Sequence, residues 1–152
     1  WGIKYIIIDL MHNIKIYFYI FLIMLSLERS VLGKNTHFNE GEKLFNQKKY
    51  SKSKFKFEQD IVFNPKNEKS YLYLAKIFNK QKNDELEEQN LNTVIMLDPQ
   101  NEEAILLLAL LKIKKSDYSG SEKLIDTFKK VCKVSCMRET EVRKKLEDLQ
   151  PK

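Results

Sequence analysis

Glycine and proline are scarce in this chain of 152 residues, which contains four and three of them respectively. Tight turns between strands depend on these two residue types, so their scarcity disfavours a hairpin-rich fold and favours long helices. Cysteine and histidine are also rare, with two of each. The chain therefore holds little material for a zinc site, and its length corresponds to about one domain.

The groups that catalysis requires are lacking as well. After the first 33 residues the only histidine is His37, and no cysteine or aspartate lies at a useful spacing from it. A glycine-rich phosphate loop is absent from the sequence. The many carboxylates accompany lysines at the spacing of solvent-exposed helix faces. We therefore predict that the protein is not an enzyme, with no catalytic residue, no cofactor and no metal.

Arginine is scarce although the chain is basic. The formal net charge is +6, yet only three of the 27 basic residues are arginines. Proteins that read nucleic acids rely on the planar arginine fork, so we predict that nucleic acid is not a partner. The densest basic cluster is typical of a solvated helix face, although it could also attract an acidic protein or anionic lipid. It consists of Lys48, Lys49, Lys52, Lys54 and Lys56.

The N-terminal region has the layout of a secretory signal peptide. A run of 12 uncharged residues, 16–27, follows a weakly basic lead that begins at Met11, the expected true start. This run has the length of a signal-peptide core and is shorter than the roughly 20 residues that span a bilayer. We predict that residues 1–33 are cleaved after Gly33 and that the protein is exported, to the periplasm. The alternative is an uncleaved anchor in the inner membrane, because residues 3–8 add apolar surface.

The remaining sequence repeats itself every 34 residues. The segment Asn64-Pro65-Lys66-Asn67-Glu68 recurs as Asp98-Pro99-Gln100-Asn101-Glu102. Proline ends one helix, and Asn67, Asn101 or Ser135 is expected to cap the next by accepting hydrogen bonds from its free backbone donors. Glutamate in the first turn then favours the helix dipole.

Small and large apolar positions recur with the same period. Small residues are expected where two helices cross closely, and large apolar residues where the next pair stacks. Three sets share the spacing: Gly41, Ala75 and Ala109; Ser53, Glu87 and Ser121; Phe57, Leu91 and Ile125. Glu87 departs from this pattern because its position is normally small, and Lys112 departs because its position is normally apolar.

In this period and its closing proline the chain resembles the tetratricopeptide-repeat family, whose unit is a pair of antiparallel helices. The resemblance is to a small exported bacterial member, with a domain at 34–152. It implies an all-α fold, a right-handed α-solenoid of three helix pairs and a C-terminal capping helix. The repeats fall at about 34–67, 68–101 and 102–134, and the capping helix at 135–149.

The helices are expected at 37–48 and 52–63, 68–81 and 85–97, and 102–115 and 118–131. In the capping helix an apolar stripe is expected from Met137, Val142, Leu146 and Leu149.

The resemblance also implies a function, which is non-catalytic binding of a protein or peptide on the concave face. That face is lined by the first helix of each pair and suits a peptide with apolar anchors and some acidic character. The expected residues are Phe38, Glu42, Phe45, Asn46, Lys69, Leu72, Lys76, Asn79, Lys80, Glu103, Leu106, Leu110 and Ile113.

One variety of the family holds a terminal carboxylate with a lysine and asparagine clamp. Phe38 and Glu42 stand where its first residues would be, so we exclude a chaperone tail as the partner. The predicted role is an adaptor in the cell envelope. The alternative is a membrane-tethered structural component of an envelope assembly, which involves the membrane only if the N-terminal segment stays uncleaved.

The two cysteines, Cys132 and Cys136, lie on either side of the expected turn into the capping helix. Two thiols without other ligands make a poor zinc site, and their spacing is not that of a redox-active pair. If the protein is exported, a structural disulfide is expected. Two free cysteines are the alternative.

Overall fold

The computed structural model describes residues 14–23, 36–134 and 136–149, and all regular structure in these ranges is helical. Residues 14–23 form α1. The helices that follow are α2 (Thr36–Asn46), α3 (Tyr50–Phe63), α4 (Glu68–Lys80), α5 (Asp84–Leu97), α6 (Glu102–Lys114), α7 (Tyr118–Val131) and α8 (Met137–Leu149). The predicted all-α class is confirmed.

Helices α2 to α7 form three hairpins that stack in chain order. Each hairpin pairs consecutive helices, and α3 packs on α4 as α5 packs on α6. The terminal helix α8 packs against both α6 and α7. The predicted solenoid of three helix pairs with a terminal helix is therefore confirmed. Where they fall in the described residues, the helix ends lie within two residues of the expected ones.

The 34-residue period is visible in the backbone of the turns within each hairpin. Lys48, Lys82 and Ser116 are the non-glycine residues with positive φ in the described chain, at 59°, 56° and 60°. They are 34 residues apart in succession, so the chain reverses through a left-handed backbone conformation at the same position of every repeat. None of them is glycine, the residue that tolerates this conformation best.

The small positions fit the large ones across each hairpin. All three small residues, Gly41, Ala75 and Ala109, are buried. Gly41 faces the largest partner, Phe57, and a Cβ on Gly41 would lie only 2.8 Å from its ring. The second and third hairpins have alanine here and a smaller partner, Leu91 or Ile125, so the summed side-chain size is held nearly constant, as close packing requires.

A buried carboxylate joins the first hairpin to the second. Asp60 accepts hydrogen bonds from Asn64 Nδ2 at 3.1 Å, Asn67 Nδ2 at 2.6 Å and Ser70 Oγ at 2.5 Å. Asn67 was expected to cap α4 but makes no side-chain cap bond; its Nδ2 group instead donates to Asp60 and to Ser70 Oγ. Asn101 does cap α6 by accepting from Ala104 N at 3.0 Å. The third expected cap, Ser135, lies outside the described residues.

The C-terminal helix is attached by apolar contacts and by a disulfide between Cys132 and Cys136. Val142 and Leu146 of α8 are buried in one cluster with α6 and α7. Met137 and Leu149 are 87% and 52% exposed, so their expected place in the buried stripe is wrong. Only the middle of α8 therefore caps the array.

Helix α1 is exposed at all ten described positions, although it is rich in aromatic and aliphatic residues. None of the described helices is long and apolar enough to cross a membrane. The expected cleavage site after Gly33 lies outside the described residues.

Candidate functional site

A pocket of about 330 Å³ opens where the first helices of the three hairpins meet. We call it the groove pocket. Its lining residues come from four helices, and they are Phe45 of α2, Lys76, Asn79 and Lys80 of α4, Glu87 of α5, and Glu103 and Leu107 of α6. Five of these seven belong to the predicted concave face. Leu107 and Glu87 do not, because the resemblance assigns the face only to one stripe of each first helix.

An ion pair crosses the groove pocket from α4 to α6. The Lys76 ammonium lies 2.9 Å from both carboxylate oxygens of Glu103. The same ammonium lies 5.1 Å from the centre of the Tyr73 ring, within range of a cation–π contact. These contacts fix two long side chains that would otherwise be mobile, so the pocket is largely ordered before any ligand enters.

Tyr73 connects this ion pair to the first hairpin. Its hydroxyl donates to Glu42 Oε1 at 2.7 Å, and its ring stacks on Phe57 at 4.8 Å between centroids. Burial and the Glu42 carboxylate raise the pKa of Tyr73 to about 12, so it stays a neutral donor at physiological pH. The expected anchors Phe38 and Phe45 pack against the Tyr73 ring at 5.9 and 5.0 Å. They are therefore half-buried walls, with only part of each ring available to a ligand.

Glu87 is the most buried of the residues that line the pocket. It is 2% exposed, whereas the other lining residues are half-buried or exposed. Its two carboxylate oxygens each accept from Asn79 Nδ2 at 3.0 Å. Burial raises the pKa of Glu87, and the amide of Asn79 only partly offsets that effect. The sequence flagged this position as unusual for a repeat, but only the structure places it in the pocket.

Three of the thirteen predicted concave residues lie in the core. Leu72, Leu106 and Ile113 are 8%, 0% and 3% exposed, so the prediction that they lie on an accessible face is wrong. Leu106 and Ile113 share a cluster with Val142 of α8, and the half-buried Leu110 packs against it. Helix α8 thus covers the third-hairpin end of the face that was predicted to be accessible.

The other predicted residues are spread along the accessible part of the face. Asn46 and Lys69 are exposed, while Glu42 and Glu103 are half-buried by the contacts above. Lys69 and Phe38 line a separate pocket of about 620 Å³ at the α3–α4 junction, together with Phe63. The structure therefore divides the predicted face into two neighbouring regions.

The lysine cluster of the first hairpin is only partly free. Lys48, Lys49 and Lys52 are exposed. Lys56 pairs with Glu40 at 2.8 Å, and Lys54 lies 5.3 Å from the Phe78 ring centre. Two of its five charges are thus engaged within the molecule, which weakens the cluster as a docking surface.

Lys112, which departs from the apolar pattern, is compensated by ion pairs. Its ammonium lies 2.8 Å from Glu88 and 3.0 Å from Asp117. These contacts lower the pKa of both carboxyls and raise that of Lys112.

His37 stacks on Phe63 at 5.6 Å between ring centroids. No cluster of metal-ligating side chains occurs within the described ranges.

Comparison with solved structures identifies the architecture. The TPR2B domain of yeast Sti1, solved as a complex with pHsp70, matches with a TM-score of 0.73 at 15% identity, over 78% of this chain and 99% of that one. This is a tetratricopeptide-repeat fold. The Yersinia enterocolitica secretion chaperone SycD, solved with a peptide of the translocator YopD, matches at 0.68 and 13% identity over 76% and 90% of the two chains. The Aspergillus fumigatus Sgt2 TPR domain matches at 0.65 and 19% identity over 79% and 85%.

Identities this low establish the fold alone. Neither a sequence-family profile nor a curated protein matches the chain.

Proposed function

We propose that this TPR chain is a non-catalytic adaptor that binds a peptide segment of a client protein in the groove pocket. The observation that carries the proposal is the ordered pocket between three hairpins, in which apolar walls from Phe45 and Leu107 alternate with fixed polar groups. Apolar contact surfaces with a few placed polar groups are what peptide recognition requires. The pHsp70 complex of Sti1 and the YopD peptide complex of SycD support this use of the fold.

Photo-crosslinking in the source cells tests the proposal. The crosslinking amino acid benzoylphenylalanine replaces Lys80 at the pocket in one variant and Lys52, an exposed residue of α3, in the matched control. We expect one discrete client adduct from position 80 and none from position 52. Adducts from position 52 alone would place binding on the lysine cluster and contradict the groove assignment.

We further propose that the adaptor works in the cell envelope after export to the periplasm and cleavage after Gly33. The uncharged run at residues 16–27 and the exposure of the apolar residues of α1 support this, since a segment destined for a translocon or bilayer need not be buried in the folded domain.

The same exposure also favours a second candidate, a structural component of an envelope assembly that keeps this segment as a tether. Sequencing the N-terminus of the protein purified from cells separates the two. A start at Lys34 supports the free adaptor, and a start at or before residue 14 supports the tether. Recovery only from the cytosolic fraction would contradict both.

A further inference from the structure

Glu87 and Asn79 replace two residues of the repeat pattern at once. The positions equivalent to Asn79 are Phe45 in the first hairpin and Ile113 in the third, and those equivalent to Glu87 are Ser53 and Ser121. An apolar residue beside a small one is thus exchanged for an amide beside a carboxylate. The exchange occurs only in the hairpin whose side chains form the middle of the groove pocket.

This exchange is expected to lower the stability of the fold. Burying a carboxylate is unfavourable unless a cation or several donors compensate it. Asp60 shows what compensation looks like in this protein, because three side-chain donors surround it. Glu87 has the single amide of Asn79, and no ion pair to Glu87 is formed by any lysine or arginine in the described segments. The charged groups that influence it, Asp84 and Lys114, pair with each other.

The two lysines of the pocket do not pair with Glu87. Lys76 is held by Glu103, and Lys80 is exposed at the rim. Phe45 and Leu107 line the same pocket and provide apolar contact for an aliphatic stem. The arrangement therefore combines a desolvated carboxylate, an amide that fixes its orientation and apolar walls that lead to it.

We propose that the groove pocket takes a lysine or arginine side chain of the client, whose cationic head pairs with Glu87 while its stem lies between Phe45 and Leu107. This inference rests on the proposed peptide-binding function and names the residue that the pocket selects. It replaces the acidic character expected from the surface lysines, because Lys76 is neutralised within the molecule whereas Glu87 is not.

A random dodecapeptide library displayed on phage tests the inference against the immobilised full chain in mild detergent. Wild type is compared with Glu87→Gln, which keeps the shape and the bond from Asn79, and with Glu87→Ser, which restores the residue of the other two hairpins. Lys52→Ala serves as the control that removes an exposed lysine charge outside the pocket. Circular dichroism verifies that each variant keeps the helicity of wild type.

We expect wild type and Lys52→Ala to enrich peptides with lysine or arginine at one fixed position, and both Glu87 variants to lose that preference. In a synthetic peptide from the selection, changing the basic residue to glutamine should weaken binding to wild type at least about tenfold and to Glu87→Ser less than about twofold. Enrichment without a basic position, or the same basic preference in the Glu87 variants, overturns the inference and leaves peptide binding intact. If wild type enriches no peptide, the proposed function itself fails and the inference falls with it.

Discussion

At the scale of single residues, complementary size decides which amino acid a repeat position accepts. Gly41 is the one small position without a Cβ, and it faces the fully buried Phe57, whose ring is held on Tyr73. Replacing glycine with alanine in a helix normally stabilises it by about 1 kcal/mol. Overpacking a rigid core costs about 1–3 kcal/mol, so we expect the clash to prevail.

We therefore predict that Gly41→Ala lowers the free energy of unfolding by about 1 kcal/mol. The double variant Gly41→Ala with Phe57→Leu recreates the Ala75 and Leu91 pair of the second hairpin and should recover most of the loss. Urea unfolding of both variants measures this. A single variant as stable as wild type would show that the Phe57 ring has room to move.

Glu87 has a predictable pH signature. Its pKa is raised above 4.5 in the folded chain, mainly by burial, so the native state holds this proton more tightly than the unfolded state does. Stability contributed by this group is therefore present below pH 4.5 and is lost as pH rises through the raised pKa.

We predict that Glu87→Gln gains stability relative to wild type as pH rises through that window. Unfolding by urea at a series of pH values measures the difference between the two proteins. The lowered pKa values of Glu88 and Asp117 have the opposite effect but are common to both proteins, so they cancel. A difference that does not change with pH would mean that Glu87 titrates normally.

At the scale of elements, the turn within each hairpin carries a conformation that its residue does not favour. A non-glycine residue in the left-handed region costs about 1–2 kcal/mol of stability. Glycine removes this cost, but its greater freedom in the unfolded chain reduces the gain by about 0.4–1 kcal/mol. We predict that Lys82→Gly raises the free energy of unfolding by about 0.5–1 kcal/mol. Gln89→Gly, inside α5 and exposed, should lower it by a similar amount. Thermal unfolding of the two variants should give shifts of opposite sign.

The disulfide acts on one element only. Cys132 and Cys136 enclose a very short loop, so its effect on the unfolded chain is modest, about 2 kcal/mol or less. We predict that reduction loosens α8 while the three hairpins remain folded. Amide hydrogen exchange with and without reductant should show faster exchange in α8 than in α4 or α6. Uniform acceleration along the chain would contradict a local role.

The 34-residue period determines where the helices lie, but not which side chains they bury against one another. Helix positions followed from the 34-residue spacing because turns and helix starts depend on nearby residues. The predicted cap at Asn67 is wrong because its side chain donates to Asp60 across the α3–α4 junction instead of accepting a hydrogen bond from α4. The burial of Leu106 and Ile113 was missed because α8 packs on them, a tertiary contact that the period of the repeats does not contain. Glu87 was recognised as irregular, but its place in a pocket depends on three other helices.

At the scale of the whole molecule, the two ends of the array are unequal. Within the described part of the chain α2 buries one residue, Gly41, whereas α6 buries seven. In stacked repeats each unit is stabilised mainly by its neighbours, and α8 supplies a neighbour only at the C-terminal end. Opening by thermal fluctuation should therefore begin at the first hairpin.

Because of this inequality, the force needed to unfold the protein should depend on which end is pulled. A translocase that pulls on the segment before α2 would apply its force to the hairpin with the fewest buried residues, so we expect unfolding to proceed one repeat at a time from that end. The same force applied at the C-terminus would first meet α8 and its covalent link. A chain handed to an export motor by its leading residues would thus yield at low force, whereas one pulled by its tail would resist.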